Sequence, residues 1–117
     1  GLLNPLNYGV RKLQTVGNYL YAVTSNHDTG FEIWRTNDGI TWSVEVAGGF
    51  GDDDNKSGRG LAIFNDYIYV GVENRVAGGK IYRRQIDLVT GDYAAGSSWD
   101  PIVVNGNGNP LNWWFSD

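Results

Sequence analysis

Short runs of apolar and aromatic residues alternate with polar ones along most of the chain, and turn-forming residues separate the runs. Val10 to Val16, Tyr19 to Ser25, Phe31 to Thr36 and Ile40 to Ala47 read as four strands. Gly17-Asn18, the stretch from Asn26 to Gly30, and Asn37-Asp38-Gly39 punctuate them. Asp-Gly between two strand-like runs is a strong hairpin signal, because glycine readily takes the positive φ that tight loops need. The plan then recurs as Gly60 to Phe64, Tyr67 to Glu73, Lys80 to Ile86 and Trp99 to Val104. Tyr19-Leu20-Tyr21-Ala22-Val23 is apolar on both faces, which predicts a sheet covered on both sides.

The recurrence is a true internal repeat. Gly17-Asn18-Tyr19-Leu20-Tyr21 aligns with Asn65-Asp66-Tyr67-Ile68-Tyr69 at an offset of 48, as from Tyr19 to Tyr67. The same offset pairs Leu13 with Leu61, Asn26 with Asn74, Gly30 with Gly78, and Ile33-Trp34-Arg35 with Ile81-Tyr82-Arg83. An insertion around Asp87 to Ser98 lengthens the second copy, so that Trp42 aligns with Trp99. Asn109-Pro110-Leu111-Asn112-Trp113 then echoes Asn4-Pro5-Leu6-Asn7-Tyr8, and Asp52-Asp53-Asp54-Asn55 holds the equivalent place between the copies. The expected organisation is one double unit, with a first blade over about 9–51, a second over about 57–108, and 109–117 opening a third repeat.

Four short antiparallel strands per repeat of about 40 to 50 residues are the signature of a β-propeller blade. The fold class expected is therefore all-β, with two four-stranded blades completed by neighbouring blades or chains. Glu32-Ile33-Trp34-Arg35-Thr36-Asn37-Asp38-Gly39-Ile40-Thr41-Trp42 resembles the hairpin of the Asp-box, sialidase-like propeller repeats. Gly49-Phe50-Gly51-Asp52 and the run from Leu61 to Gly71 are similar to the joining segments of such repeats, and the likeness spans most of the chain. Asp38 and Gly39 are adjacent, one residue closer than the usual pattern, and the second copy lacks the motif. What the resemblance implies is fold: its Asp and Trp would brace a hairpin turn at the outer edge of a blade.

Composition narrows the function. The net charge of -4, with no long basic run, argues against a nucleic-acid partner. No apolar stretch approaches the length of a membrane-spanning helix. Without cysteine the chain makes no disulfide and no thiolate metal site. Without methionine, even at position 1, the natural chain is expected to begin upstream of Gly1.

Chemistry-bearing residues are sparse. Asp52, Asp53 and Asp54 form the densest carboxylate group, either a solvated acidic turn or a weak calcium candidate; no other cofactor is indicated. Asp87 to Asp92 is an acidic loop of the same kind. His27, the single histidine, falls in a predicted turn and has no partners for a catalytic triad. Asn55-Lys56-Ser57 fits the short glycosylation pattern. Trp34, Trp42 and Trp99 read as packing between blades, whereas the adjacent Trp113, Trp114 and Phe115 cannot all face one core in a strand.

The expectation is a non-enzymatic structural protein, extracellular or at a cell surface, whose partners are other copies of itself. Asn109, Pro110, Leu111, Trp113, Trp114 and Phe115 at one end, and Leu3, Leu6 and Tyr8 at the other, are the residues expected to join copies by strand addition into a ring or filament. The alternative is a carbohydrate-binding propeller module that stacks glycans on Trp113 and Trp114.

Overall fold

The computed structural model describes residues 4–104 and residue 106. Eight strands make it all-β: β1 (Gly9–Val16), β2 (Tyr19–Ser25), β3 (Ile33–Thr36), β4 (Ser43–Val46), β5 (Ser57–Phe64), β6 (Tyr67–Glu73), β7 (Lys80–Gln85) and β8 (Asp100–Val103). Strands β1 to β4 form one antiparallel meander and β5 to β8 a second. A single pairing, Ser25 with Ser57, links β2 to β5 and makes one curled antiparallel sheet of both.

The turns follow from their residues. Asn65 and Asp66 both take positive φ, at 47° and 65°, in the two-residue loop between β5 and β6. Asn and Asp tolerate that region better than other side chains, and the geometry suits the twist of a hairpin. Between β3 and β4, Asp38 Oδ1 accepts the Ile40 and Thr41 backbone N–H at 2.7 and 2.8 Å. Thr36 Oγ1 donates to the same oxygen and accepts the Gly39 N–H. This local bonding holds Ile40 to Trp42 in a loop, so β4 starts at Ser43 and not at Ile40. Phe31 likewise lies outside β3, because its N–H donates to Asn55 O and its carbonyl accepts from Gly49 N–H.

The core forms where one face of the first meander meets the opposite face of the second. Tyr21, Val23 and Ile33 join Leu61, Ile68, Val70, Val72 and Tyr82 in one buried cluster. Tyr19, Tyr21 and Val23 share the front face of β2, while Ile68, Val70 and Val72 share the face of β6 that corresponds to the back of β2. The packing is therefore front on back. Gly58 permits the approach: a Cβ there would lie 2.7 Å from Val23 Cβ.

Between the meanders, Gly49 and Phe50 take left-handed φ of 60° and 61° in the turn Gly48–Gly51. The turn swings the Phe50 ring into the seam. There it stacks on Tyr82 at 4.0 Å between centroids and meets Phe31 and Trp99 edge-on. A phenylalanine in this region costs on the order of 1–3 kcal/mol, so its packing must offset that strain.

Candidate functional site

The seam between the meanders carries an extended hydrogen-bond network. Residues 52–56 form a link that binds both sides. Asn26 N–H donates to Lys56 O at 2.8 Å, and Asn55 Nδ2 donates to Gly49 O at 2.8 Å, which anchors the link on the first meander. Asn74 Nδ2 donates to Asn55 Oδ1 at 2.9 Å, and Lys56 N–H donates to Glu73 O, which anchors it on the second.

Residues 4–8 repeat these bonds on the first meander. Asn26 Nδ2 donates to Asn7 Oδ1 at 3.1 Å and Tyr8 N–H to Ser25 O at 2.7 Å. Asn26 Oδ1 accepts from the Asp28 and Thr29 N–H, as Asn74 Oδ1 does from Val76 and Ala77. One pair changes its chemistry while keeping its place. Asn4 Nδ2 donates to Glu32 Oε2, and at the equivalent positions Lys80 Nζ donates to Asp52 Oδ2. The acid has moved from the meander to the link, so the contact survives with donor and acceptor exchanged and a lysine in place of the amide. Glu32 also accepts from Asn7 and Trp34, which satisfies its buried carboxylate.

The insertion between β7 and β8 closes the front of the seam. Tyr21 Oη donates to Gly91 O at 2.7 Å and Asn18 N–H to Thr90 O at 2.9 Å. Arg35 pairs with Asp92 at 2.7 Å and Glu45 at 3.1 Å, and its guanidinium lies over the Tyr19 and Tyr93 rings. Burial opposes the charge of Arg35, but the bonds it donates to Asp92 and Tyr21 outweigh it and raise its pKa. Burial raises the phenols of Tyr21 and Tyr93.

The same platform exists on the second meander. Arg83 lies over Tyr67 at 4.1 Å and donates to Tyr69 Oη at 3.3 Å, as Arg35 does to Tyr19 and Tyr21. Its surroundings differ. Val16, on the front of the first meander, is 7% exposed, whereas its counterpart Phe64 is 63% exposed. The back faces show the converse: Leu61 is 3% exposed and its counterpart Leu13 is 59% exposed. Both faces that form the internal seam thus recur, open, at the two ends of the described chain.

Of the residues expected to join copies, Leu6 and Tyr8 are exposed, and Tyr8 packs its ring on His27. Leu3, Asn109, Pro110, Leu111, Trp113, Trp114 and Phe115 lie outside the described residues. Asp52, Asp53 and Asp54 bring one ligand oxygen each to within 4.8 Å of one another. Burial acts against the Asp52 charge, but the bonds from Asp54 N–H and Lys80 prevail and lower its pKa. Asp52 is thus already engaged by the protein. Asn55 is fully buried, so its glycosylation pattern is inaccessible in the folded chain. Sequence reasoning missed the Asn7–Asn26 and Asn55–Asn74 pairs, although the repeat offset that matches Asn26 with Asn74 was the signal for them.

No helix among the described residues is long and apolar enough to cross a membrane. The fold defines an all-β protein of two tandem antiparallel meanders. Comparison with protein-family models, curated proteins and solved structures finds no match for this chain.

Proposed function

We propose that this chain is a non-catalytic structural repeat module that assembles head to tail, building each new seam as the internal one is built. The observation that carries the reading is the reciprocal exposure of Leu13 and Phe64 against the burial of Leu61 and Val16. A second copy that sets its back face on the front of β5 to β7 would cover Phe64 and Leu13 in one contact. Such a contact is heterologous, so it generates a ring when the rotation closes and a filament when it does not. The platform of Arg83, Tyr67 and Tyr69 would lie inside the new seam.

Sedimentation velocity over a wide concentration range tests this. The parent chain is expected to associate, and Leu13→Glu to remain monomeric with an unchanged circular-dichroism spectrum. Val89→Glu, at an 83% exposed position in the β7–β8 loop, is expected to associate as the parent does. A parent chain that stays monomeric at every concentration would sink the reading.

A further inference from the structure

Residues 4–8 and the link between the meanders hold equivalent places with different chemistry. Asn4 Nδ2 and Asn7 Nδ2 donate to the two carboxylate oxygens of Glu32 at 2.9 and 2.8 Å. Glu32 is 5% exposed, and the Trp34 indole donates to it as well, at 2.9 Å. In the second repeat the same place pairs Asp52 on the link with Lys80 on the meander at 3.1 Å. The two segments are therefore not interchangeable. Amide donors suit a meander that carries Glu32, whereas an aspartate at position 4 would set two carboxylates together in a sheltered place.

Asn109-Pro110-Leu111-Asn112 repeats Asn4-Pro5-Leu6-Asn7 residue for residue, whereas Asp52-Asp53-Asp54-Asn55 shares only its last residue with them. The amides of Asn109 and Asn112 thus match the first meander, which carries Glu32, and not the second, which carries Lys80. The chain approaches this segment as it approaches the internal link. Gly106 N–H donates to Gly79 O at 2.8 Å, as Gly49 N–H donates at 3.0 Å to Phe31 O, the equivalent carbonyl. Asn112 follows Gly106 by six positions, as Asn55 follows Gly49.

One link serves both sides of the internal seam. Asn55 is bonded to Gly49 and Phe31 on the side it leaves and to Asn74 on the side it enters. A seam between copies built in the same way, the reading on which this inference rests, has one such place and two claimants. These are residues 109–113 of one copy and residues 4–8 of the next. We propose that residues 109–113 take the place: they seat on the Glu32 side of the first meander of a second copy and displace that copy's residues 4–8, which plug the site in the single chain. Asn109 and Asn112 then donate to Glu32, and Asn112 accepts from Asn26, the bonds that Asn4 and Asn7 make within one chain. Exchange of an identical segment between copies is a low-cost route to association, because the bonds that break are remade.

The first test is sedimentation velocity of full chains that carry one substitution at either of two equivalent places. Asn109→Asp is expected to raise the concentration needed for association, because it sets a carboxylate against Glu32 of the second copy. Asn4→Asp is expected to lower it, because the same repulsion loosens the resident segment. In a parent that associates, an Asn4→Asp chain that associates less readily, or an Asn109→Asp chain that matches the parent, would overturn the exchange and leave head-to-tail assembly standing. The second test is NMR titration of the full Asn4→Asp chain with a synthetic peptide of residues 107–117. Saturable shifts are expected at the Trp34 indole N–H and the Asn26 side-chain amide, which are bonded within this site. The same peptide with Asn109→Asp is expected to bind roughly tenfold more weakly. Absence of a saturable shift at Trp34 would overturn the proposal whatever the parent does. Peptide binding by a chain that stays monomeric would support it and sink only the assembly reading.

Discussion

Tyr21 Oη donates to Gly91 O at 2.7 Å across 70 residues of chain, and that bond fastens the β7–β8 loop to the first meander. Gly91 holds φ at +78°, and a Cβ there would run into the Val16 carbonyl. Tyr21→Phe is expected to cost about 1 kcal/mol, the worth of one buried hydrogen bond. Gly91→Ala is expected to cost about 2 kcal/mol or more, because it adds left-handed strain to a steric clash. Urea denaturation midpoints check both, and an Ala variant as stable as the parent would remove Gly91 from the seam.

The two asparagine pairs are expected to behave alike. Asn26 and Asn74 are each fully buried, donate to the link before their meander, and accept two turn N–H groups. Asn26→Ala and Asn74→Ala should each destabilise the chain by roughly 2–3 kcal/mol, since each leaves several buried groups unbonded. Costs near those of surface substitutions would show that the links are not held this way.

Arg35 and Arg83 make the same tyrosine contacts, but among the described residues only Arg35 has ion pairs at both 2.7 and 3.1 Å and a second ring at 4.6 Å. Asp92 is half exposed, so solvent screens much of its pairing. Arg35→Ala is expected to cost about 1–3 kcal/mol and to speed proteolysis in residues 87–98. Arg83→Ala should cost less than about 1 kcal/mol in the single chain. Equal costs would mean that the loop contributes nothing to the Arg35 platform.

Stability should fall at both ends of the pH range. Backbone N–H bonds from Ile40 and Thr41 lower the pKa of Asp38, and the Arg35 bond lowers that of Asp92. A lowered folded pKa stabilises above the ordinary value of 3.8 and loses that contribution as the pH falls through the folded value. Burial raises Tyr21 and Tyr93, which gives the opposite sign. Their contribution is complete below the ordinary 10.0 and is lost as the pH rises through the folded values. Urea midpoints against pH, with phenolate absorbance on the alkaline side, measure both limbs. A flat alkaline limb in the parent would place the two phenols in water.

The strand plan and the repeat were legible in the sequence because they rest on local chemistry. Alternation sets which residues share a face, and Asn, Asp and Gly set the turns; Asp38 and Asn65-Asp66 do this within a few residues. The boundaries at Phe31 and Ile40 were not legible, because the first depends on a bond from the distant Asn55 and the second on side-chain bonds that compete with the ladder. The pattern left both faces of β2 apolar and so predicted cover on both sides, but it did not say what packs on each. Tertiary structure decided that: the curl of the sheet sets the front of one meander on the back of the next, burying Leu61 and leaving Leu13 open. The β-bulges at Arg11 in β1 and Arg59 in β5 were decided there too. They arise from register between strands, a relation between distant residues that no single stretch of sequence contains.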